Sequence, residues 1–368
     1  MKMKILQLAY SLASGGAERC VVDLSNRLAE NPDYEVVLVT TNDARILQNM
    51  HYKGDVSSKV RIVNLHCISG FHPNSFWRVL RTIQKEKPDV VHAHCNLLLL
   101  YLPAIFYRRS CYVHTLHSLA EHCLKYAWCK PINKWLYKHR VQAVTISPSC
   151  QRSYVELYKN DSAVCIVNGR EALTPSGSIP ANCNFIDGTI PVFIHVARFA
   201  KPKNQHRLFK AFDRLYAEGE HFHLIVLGAG YNTTEYKKKY EGHPQIHLMG
   251  EQQNVADYVA LADFFVLSSD WEGLPLSLLE AMSLGVVPIS TPAGGVADVI
   301  HDGVNGYLSS GFDDESFYQK IRQSICERGK ISSESIMAEY ERLYSMKTCA
   351  AQYERLYHNL LGFKNVIQ

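Results

Sequence analysis

The sequence predicts an α/β protein with two doubly wound parallel sheets in tandem, and three observations support this fold class. At 368 residues the chain is long for one domain and suits two domains of about 170–190 residues each. Short apolar, β-branched segments alternate with amphipathic helical segments in both halves, which is typical of parallel sheets covered by helices on both faces. Residues 170–190, rich in Pro, Gly, Ser and Asn, interrupt this alternation and are predicted to form a linker.

The first half, residues 1–169, is predicted to form a domain with seven strands. They are short apolar runs at 4–9, 35–40, 60–65, 89–94, 111–116, 142–147 and 163–167. Amphipathic stretches such as AERCVVDLSNRLAE and FWRVLRTIQKEK separate several of these strands and predict helices. The apolar run 96–107 is too short to span a bilayer and contains a proline, so no membrane span is expected.

The second half, residues 191–345, repeats the pattern and predicts a second Rossmann-like domain beside the first. Its strands are predicted at 192–197, 222–228, 245–250, 263–268 and 286–290. Residues 346–368 are predicted to form a final helix that can cross back to the N-terminal domain. Two such domains are expected to face a cleft, with the carboxyl ends of both sets of strands at its edges, where ligands bind.

Charge and cysteine content limit the partners and the compartment. Residues 1–170 carry 22 Lys and Arg against 12 Asp and Glu, whereas the rest of the chain carries 17 against 23. A basic half indicates an anionic partner, such as phospholipid headgroups, a lipid-linked phosphate or nucleic acid, although solubility alone can also distribute charge in this way. The 11 cysteines match no common metal spacing and no secretory signal is recognised, which favours reduced thiols in the cytosol.

A pair of glycines follows the first predicted strand and opens the first predicted helix. Gly15 and Gly16, in LAYSLASGGAER, let the backbone approach a ligand closely, and the helix N-terminus behind them favours negative charge. The spacing differs from that of the GxGxxG dinucleotide motif. The pair is therefore a candidate for binding an anionic ligand, and a tight turn that binds nothing is the alternative.

Two cations follow the first predicted strand of the second domain. In HVARFAKPKNQHRL, Arg198 and Lys203 lie on either side of a turn, and Asn204 is placed to cap the next helix. They suit a diphosphate, because a guanidinium offers a fork of donors and an ammonium a point charge. A pair of solvated surface cations is the alternative.

Two glutamates eight positions apart surround a Gly-Leu-Pro turn in SDWEGLPLSLLEAM. Glu272 lies in the predicted loop after strand 263–268, and Glu280 lies inside a helix predicted to start at Pro275. Both carboxylates can then contact one ligand, and the hydroxyl groups of sugars are suitable partners. A ligand with a diphosphate, a ribose and a hexose would use the acids and the cations together. The alternative is one surface glutamate and one capping glutamate.

These residues resemble the retaining glycosyltransferase family 4, whose fold is GT-B. Glu272 and Glu280 match the E-x7-E pattern of that family. Arg198, Lys203 and Asn204 match its R-x4-K-N/G phosphate-binding stretch. GGAER resembles the opening of many bacterial polysaccharide transferases, and further segments follow in family order, namely VVHAH (90–94), VLGAG (226–230) and TPAGGVADVIHDGVNGYL (291–308). The resemblance therefore extends over nearly the whole chain.

The resemblance implies roles for the acids and the cations. Glu280 would bind the ribose hydroxyls of the nucleotide, and Glu272 would bind the transferred sugar. Arg198 and Lys203 would stabilise the negative charge that develops on the departing diphosphate. Further donor-binding groups are expected beside them: Gly15, Gly16, Asn204 and the backbone amides of Gly273, Leu274 and Leu276.

The resemblance also places a histidine near the reacting sugar. His117, in HTLHS (114–118), matches the cleft histidine of the family, with a satisfied histidine at a strand end as the alternative. No nucleophile is assigned, and no cofactor or metal is expected, because the chain contains no Asp-x-Asp motif. Asp298 and Asn254 stand where the family often has Glu and Asp, and residues 167–173 lack its usual apolar–Asp pair. These departures concern the donor and the hinge, not the class.

A basic aromatic segment of the first half is the predicted acceptor and membrane patch. EHCLKYAWCKPINKWLYKHR (121–140) interleaves cations with interfacial aromatic residues, namely Lys125, Lys130, Lys134, Lys138, Trp128 and Trp135. This composition suits a headgroup boundary, and the patch is expected to hold a lipid-linked sugar acceptor. An ordinary helix with solvated lysines is the alternative. Nucleic acid is not expected as a partner, because no recognised nucleic-acid module is present.

The sequence therefore predicts a metal-independent, retaining glycosyltransferase of the cytoplasm, peripheral on the cytoplasmic face of the membrane. It would move a hexose or N-acetylhexosamine from a nucleotide-sugar donor, with UDP favoured, to a lipid-linked or growing glycan acceptor. Capsule or O-antigen synthesis is the setting that the resemblance implies. The alternatives are a nucleotide-sugar epimerase or glycan phosphorylase of the same fold, and a non-catalytic sugar-nucleotide-binding protein.

Overall fold

The computed structural model describes residues 2–67, 72–186, 188–231 and 235–367, and the side chains of Pro73 and of residues 363–367 lie outside the description. The chain forms two compact units. The first comprises residues 1–171 together with 343–368, and the second comprises residues 172–342. Each unit is built on one parallel β-sheet with helices, so the α/β, doubly wound fold class is confirmed.

The first unit contains a seven-stranded sheet in the order β3-β2-β1-β4-β5-β6-β7. Its strands are β1 Met3–Ala9, β2 Tyr34–Asn42, β3 Arg61–Cys67, β4 Val90–Ala93, β5 Cys111–Leu116, β6 Val141–Thr145 and β7 Val164–Cys165. Its helices are α1 Gly16–Leu28, α2 Pro73–Glu86, α3 Tyr101–Phe106, α4 Ala120–Cys123, α5 Cys129–His139, α6 Pro148–Tyr158 and α13 Met346–Ile367. All the neighbouring strands pair in parallel.

The side-chain period of two divides β1 between two cores. Leu6 and Leu8 join one buried cluster, while Ile5 and Ala9 join a second cluster on the other face, which also contains residues of α1 and α13. The final helix therefore covers one face of the first sheet. The strand order reverses between β1 and β4, so the loops after these strands diverge at the carboxyl edge, where doubly wound sheets bind ligands.

The second unit contains a six-stranded parallel sheet in the order β10-β9-β8-β11-β12-β13. Its strands are β8 Val192–Val196, β9 His223–Leu227, β10 Ile246–Gly250, β11 Phe264–Leu267, β12 Val287–Ser290 and β13 Tyr307–Leu308. Its helices are α7 Gln205–Ala217, α8 Glu235–Tyr240, α9 Val255–Val259, α10 Leu276–Ser283, α11 Asp314–Cys326 and α12 Ser333–Leu343. Here the order reverses between β8 and β11, which places the loops that follow these two strands side by side.

Two details differ from the sequence prediction or lie beyond it. β13 has only two residues and pairs with β12, and no strand was predicted there because so short a run has no detectable period. The apolar run 96–107 forms a 3-10 turn followed by α3, with Leu97 and Leu100 buried. Within the described ranges, no helix combines the length and the apolar character that a membrane crossing requires.

Candidate active site

The predicted phosphate-binding and sugar-binding residues of the second unit lie on two neighbouring loops. Arg198 and Lys203 belong to the loop between β8 and α7, and Glu272 belongs to the loop between β11 and α10. Because β8 and β11 are adjacent parallel strands, both loops leave the same edge of the sheet. The fold therefore brings residues about seventy positions apart into one site.

An ion pair joins the two loops. Lys203 Nζ lies 2.5 Å from Glu272 Oε1, and the two side chains are 20% and 12% exposed. Ser269 Oγ donates a second hydrogen bond to the same carboxylate oxygen, at 2.7 Å. The carboxylate is thus held by one cation and one hydroxyl while it keeps some access to solvent, as a ligand-binding group requires.

Lys203 is positioned by its neighbour. Asn204 adopts a left-handed conformation with φ 42°, and its side chain accepts a hydrogen bond from Arg207 N at the start of α7. Its amide nitrogen donates to both carboxylate oxygens of Asp270, at 3.0 and 3.2 Å. Asn204 therefore caps α7, as the sequence predicts, and also ties the lysine loop to the glutamate loop.

Further hydrogen bonds fix the same two loops. Arg207 donates to Ser268 O at 2.7 Å and to Asp270 Oδ1 at 2.9 Å. Ser268 Oγ shares its one proton between the carbonyl oxygens of Lys203 and Asn204, at 2.9 and 3.0 Å. These largely buried hydrogen bonds hold the two loops in one conformation, and this fixes the backbone positions of Lys203 and Glu272.

Arg198 occupies the outer part of the first loop. Its side chain is exposed, whereas its carbonyl accepts a hydrogen bond from Gln205 at 3.0 Å. A Cβ on Gly228, at φ 136°, would approach Ala197 O to 2.1 Å. The glycine after β9 therefore lets the Arg198 loop lie directly on the neighbouring strand end.

A third loop, after β12, packs against the backbone of the loop that contains Glu272. A Cβ on Gly294, at φ 56°, would lie 2.0 Å from Glu272 O. Gly295 N donates to Gly273 O at 2.8 Å, and Thr291 Oγ1 donates to Ser269 O at 2.5 Å. The Gly-Gly pair in TPAGG thus serves close backbone packing against the glutamate loop.

Helix α10 begins one residue later than the sequence predicts. Pro275 is not its first residue but precedes it, with φ −71° and ψ 126°, and its carbonyl accepts from Leu278 N. Proline tolerates this extended conformation as well as a helical one, since only its φ is fixed. Leu274 and Leu276 are buried on either side of it and anchor the turn.

The start of α10 provides donors, and its second turn provides an acid. The first amide groups of a helix, from Leu276 onward here, have no acceptor within the helix, so they favour negative charge. Glu280 is partly exposed, whereas Leu278, Leu279 and Met282 are buried. The helix therefore presents Glu280 on its outer edge, on the same unit as the ion pair.

The glycine pair of the first unit has a local structural explanation. Gly15 caps α1 in extended conformation, and α1 begins at Gly16. A Cβ on Gly15 would lie 2.4 Å from a carboxylate oxygen of Glu18. The glutamate carboxylate lies back towards the helix start, as in a capping box. A larger residue at position 15 would only require the flexible Glu18 side chain to move, and anion binding there remains a prediction.

His117 follows β5 and is partly exposed. Its Nε2 lies 3.0 Å from His94 Nδ1, and His94 Nε2 lies 2.7 Å from Gln7 Oε1. Burial lowers the pKa of His117 to about 4, so the imidazole is neutral near pH 7. His94 and Gln7 were not among the predicted site residues. The histidines of VVHAH stand two apart, which places them on one face of β4 and could have indicated a cluster.

The predicted acceptor patch is exposed. Its four lysines, Lys125, Lys130, Lys134 and Lys138, face outward. Trp128 and Trp135 are 52% and 46% exposed. The opposite side of α5 is buried through Leu136 and Tyr137. Cations and large aromatic rings thus share one solvent-facing surface of the first unit.

A second basic aromatic surface of this unit was not predicted. Asn74, Trp77, Arg78 and Arg81 of α2 line a depression of about 330 Å³. Trp77 is 51% exposed. The strongly amphipathic FWRVLRTIQKEK stretch predicts a helix, and its Trp and Arg residues were the signal for this surface.

Two family profiles match the chain in succession. The profile described as Glycosyltransferase Family 4 matches residues 14–171. The profile described as Glycosyl transferases group 1 matches residues 182–342. The first match contains His117, and the second contains Lys203 and Glu272.

Curated proteins with related sequences are also glycosyltransferases by name. The N-acetyl-alpha-D-glucosaminyl L-malate synthase of Bacillus anthracis is 30% identical over 182 residues, 46% of each chain. The UDP-Gal:alpha-D-GlcNAc-diphosphoundecaprenol alpha-1,3-galactosyltransferase of Escherichia coli is 25% identical over 66% of this chain and 67% of its own. The chain thus spans about half the length of the first relative and two thirds of the second.

Solved structures show the same fold. HepE of Anabaena, crystallised with UDP-glucose, superposes with a TM-score of 0.77 over 97% of this chain and 100% of its own, at 18% identity. A glycosyltransferase of Rickettsia africae superposes with a TM-score of 0.82 over 98% of this chain and 99% of its own, at 17% identity. Together with the two family profiles, this fold shows that the chain belongs to glycosyltransferase family 4 and has the GT-B architecture.

Proposed function

We propose that this protein is a retaining, metal-independent glycosyltransferase that moves a hexose or N-acetylhexosamine from a UDP-sugar to a lipid-linked or growing glycan acceptor. The observation that carries the proposal is the Lys203–Glu272 pair, held at a sheet edge by three interlocked loops. A cation for phosphate and a carboxylate for hydroxyl groups lie side by side there, as a sugar diphosphate requires.

The donor uses the second unit in this proposal. Lys203 and Arg198 contact the diphosphate, with the first amide groups of α10 as further donors. Glu272 accepts hydrogen bonds from the transferred sugar, and Glu280 accepts them from the ribose. The phosphate takes the place of Glu272 as the partner of Lys203, so that the ion pair of the free protein is exchanged for two contacts with the donor. The UDP-glucose bound to HepE and the UDP-Gal named for the Escherichia coli relative favour a UDP-sugar.

The acceptor uses the first unit. The lysines and tryptophans of α5 and the segment before it suit an anionic headgroup at a membrane surface. The Escherichia coli relative is named for a diphosphoundecaprenol acceptor, and a second one for lipopolysaccharide. We assign to this protein a peripheral place on the cytoplasmic face of the membrane, in capsule or O-antigen synthesis, and His117 contacts the transferred sugar.

Donor hydrolysis and transfer test the proposal. UDP-glucose, UDP-galactose and UDP-N-acetylhexosamines are incubated with the protein and lipid-linked acceptors in the presence of EDTA, and UDP release and product are measured. We expect a new glycosidic bond with the donor's anomeric configuration, read by NMR. Inversion, epimerised donor or phosphate-dependent cleavage would instead support another enzyme of this fold.

A pair of lysine variants tests the site itself. Lys203→Ala should lower kcat/KM by about 100-fold or more, because a charge that stabilises the leaving diphosphate is lost. Lys201→Ala, an exposed lysine of the same turn, is the matched control and should retain activity. Glu272→Gln should also inactivate the enzyme. Full activity in both Lys203→Ala and Glu272→Gln would contradict the assignment of the donor site to this ion pair.

A further inference from the structure

A chain of hydrogen bonds runs through the interior of the first unit and begins at two tyrosines of α13. Tyr353 Oη lies 2.9 Å from Thr115 Oγ1, which lies 2.7 Å from His92 Nε2. His92 Nδ1 in turn lies 2.7 Å from Tyr357 Oη. The hydroxyl of Tyr357 therefore joins the final helix to strand β4.

The chain continues from Tyr357 to His117. Gln7 Nε2 donates to Tyr357 Oη at 3.5 Å, and Gln7 Oε1 lies 2.7 Å from His94 Nε2. His94 Nδ1 lies 3.0 Å from His117 Nε2. Gln7 belongs to β1, whereas the two histidines follow β4 and β5. The three strands are neighbours in the sheet, which brings residues far apart in sequence into one line.

All the members of this chain except the partly exposed His117 are buried, and its histidines are neutral near pH 7. Gln7, His92 and Tyr357 are fully buried, and His94 is 9% exposed. Burial lowers the pKa of His92 and His94 well below the ordinary histidine value, and that of His117 to about 4. Each imidazole therefore carries one N–H and one lone pair near pH 7, and each hydrogen bond has a direction.

We infer that Gln7 and Tyr357 act as positioning residues that hold His117 in the tautomer with its proton on Nε2 and its lone pair on Nδ1. An amide nitrogen only donates and an amide oxygen only accepts. Because the Gln7 nitrogen faces Tyr357, its oxygen faces His94 Nε2, which must carry the proton. His94 Nδ1 then accepts the proton of His117 Nε2, and His117 Nδ1 becomes an acceptor.

The direction of the chain decides what His117 offers to a substrate. With Nδ1 as an acceptor, the imidazole receives a hydrogen bond from a sugar hydroxyl; this step rests on the proposed function. If the Gln7 amide were turned over, each bond in the line would reverse, and His117 Nδ1 would become a donor. The hydroxyl of Tyr357 opposes that reversal as long as its own proton is directed to His92 Nδ1.

The tautomer can be read directly. Long-range ¹H–¹⁵N correlation spectra of the full chain labelled with [¹⁵N]histidine, at pH 7 and without donor, distinguish protonated from unprotonated ring nitrogens. The signals of His117 are assigned by their loss in His117→Asn. We expect a protonated Nε2 and an unprotonated Nδ1, and the reverse pattern would overturn the inference. Because no donor is present, an inactive protein with the expected spectrum would count against the proposed function alone.

Tyr357→Phe tests whether the final helix sets this state. Loss of the hydroxyl frees the Gln7 amide to turn, so we expect mixed tautomers at His117 and a roughly tenfold lower kcat, with unchanged UDP affinity. Tyr34→Phe is the matched control, because Tyr34 Oη lies 3.0 Å from His358 of the same helix and outside the chain. A wild-type His117 spectrum in folded Tyr357→Phe would refute the positioning role. If that variant does not fold, Gln7→Leu serves in its place, with the same readout.

Discussion

Gly294 shows how closely the loops around the site approach one another. Its backbone lies against that of Glu272, where even one methyl group has no room, and its φ of 56° already disfavours other residues. The exact place of the Glu272 carboxylate therefore depends on a residue with no side chain.

The first prediction compares two glycines with positive φ. Gly294→Ala should destabilise the second unit by about 3 kcal/mol or more, because a steric clash adds to backbone strain. Gly303→Ala, at φ 74° with nothing within 4 Å of the added Cβ, should cost only about 1 kcal/mol. Differential scanning calorimetry of both variants measures this, and equal shifts in Tm would contradict the packing argument.

Individual site residues differed in how far the sequence could predict them. Lys203 and Glu272 stand in short, recognisable segments after predicted strands, so their place at one sheet edge could be anticipated. Their ion pair depends on the hydrogen bond between Asn204 and Asp270 that joins the two loops. That hydrogen bond has no sequence signature. Gln7 and His94 could not be connected with His117, since only the strand order brings them together.

Helix α5 has one buried side and one exposed side that carries lysines of the predicted membrane patch. The turn of the helix directs Leu136 and Tyr137 inward and leaves the lysines and Trp135 outside. Element types were well predicted because the apolar periods are clear, as in the strands at the two sheet centres. Boundaries and short elements were less predictable: α10 starts after Pro275, and β13 was missed.

The second prediction concerns this element. Replacing Lys125, Lys130, Lys134 and Lys138 with Glu should weaken binding to anionic vesicles by at least about 100-fold, since each lysine near such a surface contributes about 1 kcal/mol. Lys237→Glu with Lys238→Glu, two exposed lysines of α8, is the control. Flotation of both proteins with vesicles of anionic and zwitterionic lipid measures the difference. Unchanged flotation of the fourfold variant would contradict the prediction that these lysines bind the membrane.

Both sheets of the molecule contain buried histidines that are neutral near pH 7. Burial lowers the pKa of His114 in the first unit and of His195 in the second to about 4. His195 Nδ1 donates to Val266 O at 2.8 Å, and its Nε2 has no hydrogen-bond partner among the described residues. Protonation would therefore place a charge in an apolar interior.

The third prediction follows from this shift. Unfolded histidines bind protons below about pH 6.5 while the folded ones do not, so the free energy of unfolding should fall as pH falls from 7.5 to 5.5. The loss should be about 1 kcal/mol for each group at pH 5.5. Urea unfolding at both pH values measures it, and His195→Gln should reduce the pH dependence of the second unit. His206→Gln, at an exposed position, should leave that dependence as it is.

At this largest scale, the return of α13 to the first sheet has a consequence for biosynthesis. Residues 343–367 complete a core that also contains α1, yet the ribosome makes them only after the entire second unit. Until then, the part of this sheet face that α13 covers stays exposed on the nascent first unit, although α1 is already present. The unit encoded later can therefore finish folding before the first one. Chaperones that recognise exposed apolar surface would meet this chain at that stage of its synthesis.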